Sequence, residues 1–249
     1  MTTFTPLNLG LKQTLTVGTE LDWHDISLQN QALISADEFV ASASSYPLFF
    51  TKNSHDGNFS AIALLGLQQD NVFFKGKPSQ DIAYIPKSLS MLPFGLGADP
   101  ENEQQLMTCI NLQSQLINQS EGGALLNHDG SNTERLTQIN QELSAIFQAH
   151  VNTEYFISAL LEHQLLMELE LNVSCDNDEL KTIKGLYSVN EQQLSQLSVE
   201  QKLLFIDRGY YPPMMAMLAS LEQVNRMVKL YNSDDTQTKV TAVRLKVTQ

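Results

Sequence analysis

The chain has 249 residues, with 28 acidic side chains against 15 basic ones and a formal charge of −13. That length holds one large domain or two small ones, and 42% hydrophobic with 17% charged residues is the composition of a soluble globular protein. The acidic balance argues against nucleic acid or an anionic membrane as a partner, because phosphates need Lys and Arg to displace their counterions.

The opening stretch MTTFTPLNLGLKQTLTVG has no basic start and no unbroken apolar run, so no signal peptide is expected. From Leu11 to Val17, LKQTLTV alternates as a strand does. ISADEFVASASS carries helix-start chemistry, with Ser35 and Glu38 at capping-box spacing. YPLFFTK reads as a strand, since Pro47 and the aromatics disfavour continuing the helix. NSHDGN is a turn, and SAIALLGL and NVFFKG are two further strands. Residues 61–65 are the longest clean apolar run, far short of the ~20 residues of a membrane span. LMTCINLQ, residues 106–113, alternates again.

From Leu136 the period changes. Leu136, Ile139, Leu143, Ile146 and Phe147 share one helical face, and a second helix follows Asn152-Thr153 with Phe156, Leu160, His163 and Met167. ELELNVS and LKTIKGLYSV make a pair of strands. VNEQQLSQLSVEQKLLFIDRG reads as two short helices stopped at Gly209, and YYPPMMAMLASLEQVNRMVKLYN as one long helix with prolines tolerated at its start. TKVTAVRLKVT is a last strand whose Arg244 and Lys246 would protect a sheet edge. The expected fold is α+β, with a β-rich N-terminal half (an antiparallel or meandering sheet) and an α-rich C-terminal half. A single domain over residues 1–249 is expected, with subregions at 1–115 and 116–249.

Two His-Asp-Gly triplets stand out, His55-Asp56-Gly57 and His128-Asp129-Gly130. Asp-Gly favours a turn, and Ser131 with Glu134 has capping-box spacing, so the turn reading accounts for every residue near the second triplet except His128. The alternative is an acid/base set of His128 and Asp129, with His55 brought near by folding. Neither histidine has a local partner at metal-ligand spacing, so no metal is expected. No phosphate-binding loop, GxGxxG, GxSxG or HExxH occurs, so no cofactor is expected either. Cys109 and Cys175 are far apart without a CxxC, which points to two reduced thiols in a cytoplasmic protein.

His163 lies on an apolar stripe and reads as a hydrogen-bonded core histidine. His24 and Asp25, read on a strand, would point to opposite faces. The MMAML cluster beginning at Met214 reads as core or as an adaptable groove. Two stretches follow no period, AYIPKSLSMLPFGLG at 83–97 and SEGGALL at 120–126. The second puts a carboxylate before two glycines, where backbone can come close to a ligand. The candidate binding surface is therefore Tyr84, Pro86, Pro93 and Phe94 with Glu121 and Gly122. The two rings would supply apolar contact area and Glu121 a hydrogen-bond acceptor.

In order along the chain, EFVASASSYPLFF, ALLGLQQDNVFF, YIPKSLSMLPF, EGGALLNHDGSNT, GLYSVNEQQLSQL and GYYPPMMAMLASLEQVNRM resemble SapC-like proteins of bacteria. The likeness runs from about residue 35 to residue 230. The resemblance implies association with a surface layer. It also implies an accessory role in small-molecule or peptide uptake and modification, beside flavin-dependent halogenase-like proteins, cupin-like hydroxylases and outer-membrane receptors. A peptide-transporter permease shares the name, and the absence of a membrane span argues against that meaning. The chain departs from the family pattern at three places. Only Lys87 remains of a basic pair, Gly123 replaces a glutamate and Asn190 an aspartate. A non-enzymatic binding or accessory protein is the leading reading, its partner a small molecule, a peptide or a protein. The rival is an enzyme acting on an amino acid or peptide, and a surface-layer subunit is a third reading.

Overall fold

The computed structural model describes residues 4–54, 56–67, 71–75, 82–100, 102–119, 122–177, 179–234 and 238–248. His55 and Glu121 lie outside them. Met1–Leu28 and Lys87–Gln148 form one compact unit, and Gln29–Pro86 with Ala149–Gln249 the other.

The first unit opens with β1 (Thr5–Pro6), α1 (Leu9–Thr14), β2 (Thr16–Val17) and α2 (Trp23–Ser27). The alternating stretch 11–17 is thus mostly helix. Asn8 caps α1 by accepting the Leu11 N–H at 3.0 Å, and this local bond outweighs the alternation. His24 and Asp25 also sit on a helix rather than a strand, because Asp22 caps α2 by accepting the Asp25 N–H.

The chain then enters the second unit through β3 (Gln31–Leu33), α3 (Phe39–Ser42), β4 (Leu48–Lys52) and β5 (Phe59–Leu64). Ser35 and Glu38 form the predicted capping box just ahead of α3. Among the described residues 71–75 of NVFFKG the predicted strand does not form. Asn71 Oδ1 accepts from the backbone N–H groups of both Phe73 and Phe74 at 3.0 Å, which bends the segment. Both rings then bury against Tyr46.

Back in the first unit come α4 (Lys87–Ser90), β6 (Phe94–Asp99), β7 (Asn102–Ile110), β8 (Gly123–Ala124) and α5 (Glu134–Glu162). Residues of α5 up to Gln148 belong to the first unit and the remainder to the second. The helix does not break at Asn152-Thr153 as predicted. Thr153 returns its hydroxyl to the Ala149 carbonyl at 2.7 Å, which satisfies the side chain inside the helix. In this unit β1, β7 and β6 form an antiparallel sheet and β2 pairs with β8. Leu7, Val17, Ile110, Leu125 and Leu136 anchor its core.

The second unit ends with β9 (Leu166–Cys175), β10 (Leu180–Val189), α6 (Glu191–Gln196), α7 (Val199–Asp207), α8 (Tyr211–Ser220), α9 (Gln223–Asn232) and β11 (Val240–Val247). Its six-stranded antiparallel sheet runs β11-β9-β10-β4-β5-β3, so strands from both halves of the sequence share one sheet. As predicted, β11 takes an edge with Arg244 and Lys246 exposed, and Gly209 follows α7 at φ +70°. The single long helix predicted from Tyr210 onward is instead two. Buried Ser220 closes α8, its Oγ accepting the Leu48 N–H at 2.9 Å and donating to the Met217 carbonyl at 2.6 Å. Met214 and Met217 are fully buried, which makes the methionine cluster core. The fold is α+β, and no helix among the described residues is long and apolar enough to cross a membrane.

Candidate binding cleft

The cleft lies in the first unit. Gly18 leaves β2 toward the cap of α2. A Cβ there would lie 2.9 Å from Gln119 Oε1 and 3.1 Å from Leu116, so a larger residue would have to push these two side chains aside. The loop it begins, together with residues 90–94 and the first turns of α5, lines a cavity of about 260 Å³. On α5 the contributing residues are Arg135, Gln138, Ile139 and Glu142, spaced to share one face. Ile139 joins Met91, Leu92 and Phe94 as an apolar floor, each no more than 9% exposed.

Arg135 is half-buried, and its Nη1 and Nη2 donate to the carbonyls of Val17 and Gly18. Among the described residues no carboxylate pairs with it. Burial pulls its pKa below the ordinary arginine value, while the charge persists at neutral pH. Glu20 and Glu142 also line the cavity, and both are exposed. Gln138 donates to Glu142 Oε1 at 2.8 Å and orients that carboxylate. Among the described residues Glu20 has no partner.

Beside this loop two acids are buried, Asp22 at 2% and Asp25 at 4% exposure. Ser114 donates to Asp22, and Asn111 to Asp25. Burial pushes the Asp25 pKa up, and the Asn111 bond opposes that rise.

Of the residues singled out in the sequence, Pro93 and Phe94 line the cavity, the former after a cis Leu92–Pro93 bond. Gly122 does make a close backbone approach, but to the chain itself. A Cβ there would sit 3.0 Å from the Val17 nitrogen. Tyr84 and Pro86 belong to the second unit. The half-buried Tyr84 donates its hydroxyl to buried Glu38 at 2.9 Å, while its carbonyl accepts from the Tyr46 hydroxyl at 2.6 Å. Burial first, and then the Glu38 charge, raises the pKa of the Tyr84 phenol.

His128 and Asp129 are exposed in a turn. Ser131 donates both its N–H and its hydroxyl to Asp129, which holds that carboxyl below its usual pKa. Ser131 is therefore not the helix cap predicted for it. Thr133 caps α5, accepting the Leu136 N–H at 3.3 Å. His163 is half-buried with Nδ1 3.4 Å from the Gln201 amide and its ring edge-on to Phe205. Among the described residues no group of three or more His, Cys, Asp or Glu side chains is placed to hold a metal.

Arg135, Glu20 and Glu142 did not stand out in the sequence. One local signal pointed to the first of them. Arg135 is the second residue of α5, at the end where the helix dipole disfavours a cation. A second depression, of about 390 Å³, is lined by Asn132, Thr137, Asn140, Gln141 and Ser144. It has neither an apolar floor nor a charge, so the smaller cavity is the better ligand site.

The family model described as SapC matches residues 11–227. No curated protein and no solved structure matches the chain.

Proposed function

The chain belongs to the SapC family, and from that premise we propose that it is a non-catalytic binding or accessory protein that holds a small molecule in the cleft of its first unit. One observation carries this reading. A half-buried guanidinium, met among the described residues by two neutral carbonyls and no carboxylate, lines a cavity with an apolar floor. A charge drawn out of water calls for a compensating partner, and here a ligand anion supplies it. At about 260 Å³ the cavity falls just below the ~300–1,000 Å³ of pockets for drug-sized ligands, which suits a metabolite.

An accessory role in small-molecule uptake or modification fits such a site. The free thiols Cys109 and Cys175 suit work in the reducing cytoplasm. The enzyme alternative gains nothing from Asp129, whose carboxylate is taken up by Ser131.

Methyl-detected NMR with pooled metabolites tests the proposal. A ligand of the cleft shifts the Met91 and Ile139 methyl signals, and Gln138→Trp, which places a bulky ring at the exposed wall, abolishes the shift. Ligands that move only signals elsewhere, or that bind Gln138→Trp equally well, would overturn it.

A further inference from the structure

Resting on the cleft as the ligand site, we infer that it takes a linear zwitterion, with a carboxylate at Arg135, an ammonium at Glu142 and an apolar spacer between them. Arg135 and Glu142 are seven residues apart on one face of α5, about 10 Å along the axis at 1.5 Å per residue. Ile139 lies between them and continues the apolar floor. Long side chains on a helix lean toward its N-terminus, so the spacing of charged ends broadly follows the spacing of the backbones.

The charges select the class. One arginine against two glutamates leaves the cleft with a negative balance, so a second anionic group on the ligand would be repelled. A simple cation would leave the half-buried guanidinium uncompensated. A molecule with one group of each sign answers both. An α-amino acid is too short, since its two charges share one carbon, whereas the residues that would hold them stand about 10 Å apart. A chain of seven or eight methylenes spans the gap, as does a peptide of about three residues at ~3.3–3.6 Å each. The Gln138 bond fixes Glu142 Oε1 and leaves Oε2 for the ammonium.

Titration calorimetry on the full chain decides, using 8-aminooctanoate, octanoate, octylamine, leucine and the tripeptide Gly-Leu-Gly. 8-Aminooctanoate should bind about tenfold or more tightly than octanoate, octylamine or leucine, because each of those lacks one charge-assisted contact. Glu142→Gln, at an exposed position, should bring 8-aminooctanoate down to the affinity that octanoate shows on the same variant. Arg135→Met should bring it down to that of octylamine. If that variant does not fold, the ligand series on the native chain still decides. Either order of Gly-Leu-Gly and 8-aminooctanoate supports the zwitterion and tells whether the spacer is a peptide. Equal binding of octanoate and 8-aminooctanoate, or an unchanged Glu142→Gln, overturns the inference while leaving the cleft reading intact. If none of these probes binds, the inference falls, and the cleft reading falls with it only when the metabolite screen also finds no cleft ligand.

Discussion

Along α5 the residues before and after Gln148 are put to opposite uses. In the first unit the helix offers Arg135 and Glu142 to a cavity. In the second it offers Phe156, whose ring meets Phe39 at 6.1 Å, Phe50 at 6.2 Å and Tyr210 at 5.1 Å. The first unit holds two carboxylates inside, Asp22 and Asp25, with Asn111 and Ser114 as their partners. The second buries polar groups too, Glu38 and Ser220 among them, but builds its interior around rings and leaves apolar side chains outside on α7, where Val199 is 72% exposed. A polar interior needs every group placed for its partner and tolerates a gap. An aromatic interior holds by contact area and leaves none.

The largest effect should come from breaking the aromatic side of this contrast. Phe156→Ala removes a fully enclosed ring and should cost ~3–5 kcal/mol, read by urea denaturation. A loss near 1 kcal/mol would mean that the second unit does not depend on its ring cluster. Next comes Arg135→Ala, which removes two charge-assisted bonds to backbone and should cost ~1.5–3 kcal/mol. Hydrogen exchange should show the loss around Val17 and Gly18 rather than in the six-stranded sheet.

A pH series sharpens the contrast further. Burial raises the folded-state pKa of Asp25 above the unfolded value, so the folded protein keeps this proton to higher pH than the unfolded chain does. The stability owed to this carboxyl should therefore fall as pH rises from about 4 through the folded pKa, and then level off. Asp25→Asn keeps the acceptor for Asn111 and should flatten that fall. An unchanged pH profile would remove Asp25 from the account. The smallest effects belong to the turn before α5. Thr133→Ala should cost ~1 kcal/mol as the loss of a cap, and His128→Ala no more than ~0.5 kcal/mol. Ser131→Ala, with no capping bond to lose, should fall below Thr133→Ala in the same denaturation series.

Features written in a few adjacent residues were legible in the sequence. The Ser35–Glu38 box, the stop at Gly209 and the basic edge strand β11 all formed as read. Where one side-chain bond decided the backbone, periodicity misled. Asn8 made a helix of an alternating stretch, Asn71 bent an expected strand, and Ser220 ended a helix expected to run on. Pro93 and Phe94 were legible because prolines beside aromatics follow no period. Glu20 and Glu142 were not, because the cleft exists only where a loop at residues 18–21 meets a helix more than a hundred residues later. No local pattern records that meeting, and only the misplaced cation at the start of α5 hinted at it.

Each unit is assembled from two separated stretches of chain, and this sets a timetable for synthesis. β1, α1, β2 and α2 emerge early from the ribosome but cannot complete their unit until residue 148 has been made. At ~5–20 residues per second, the 120 residues that follow Leu28 take about 6–24 s to translate. The second unit waits longer still, because β11 comes last. Neither unit can be released as one continuous fragment by a single cut, and a chain stopped before Arg135 should emerge with its cleft unbuilt.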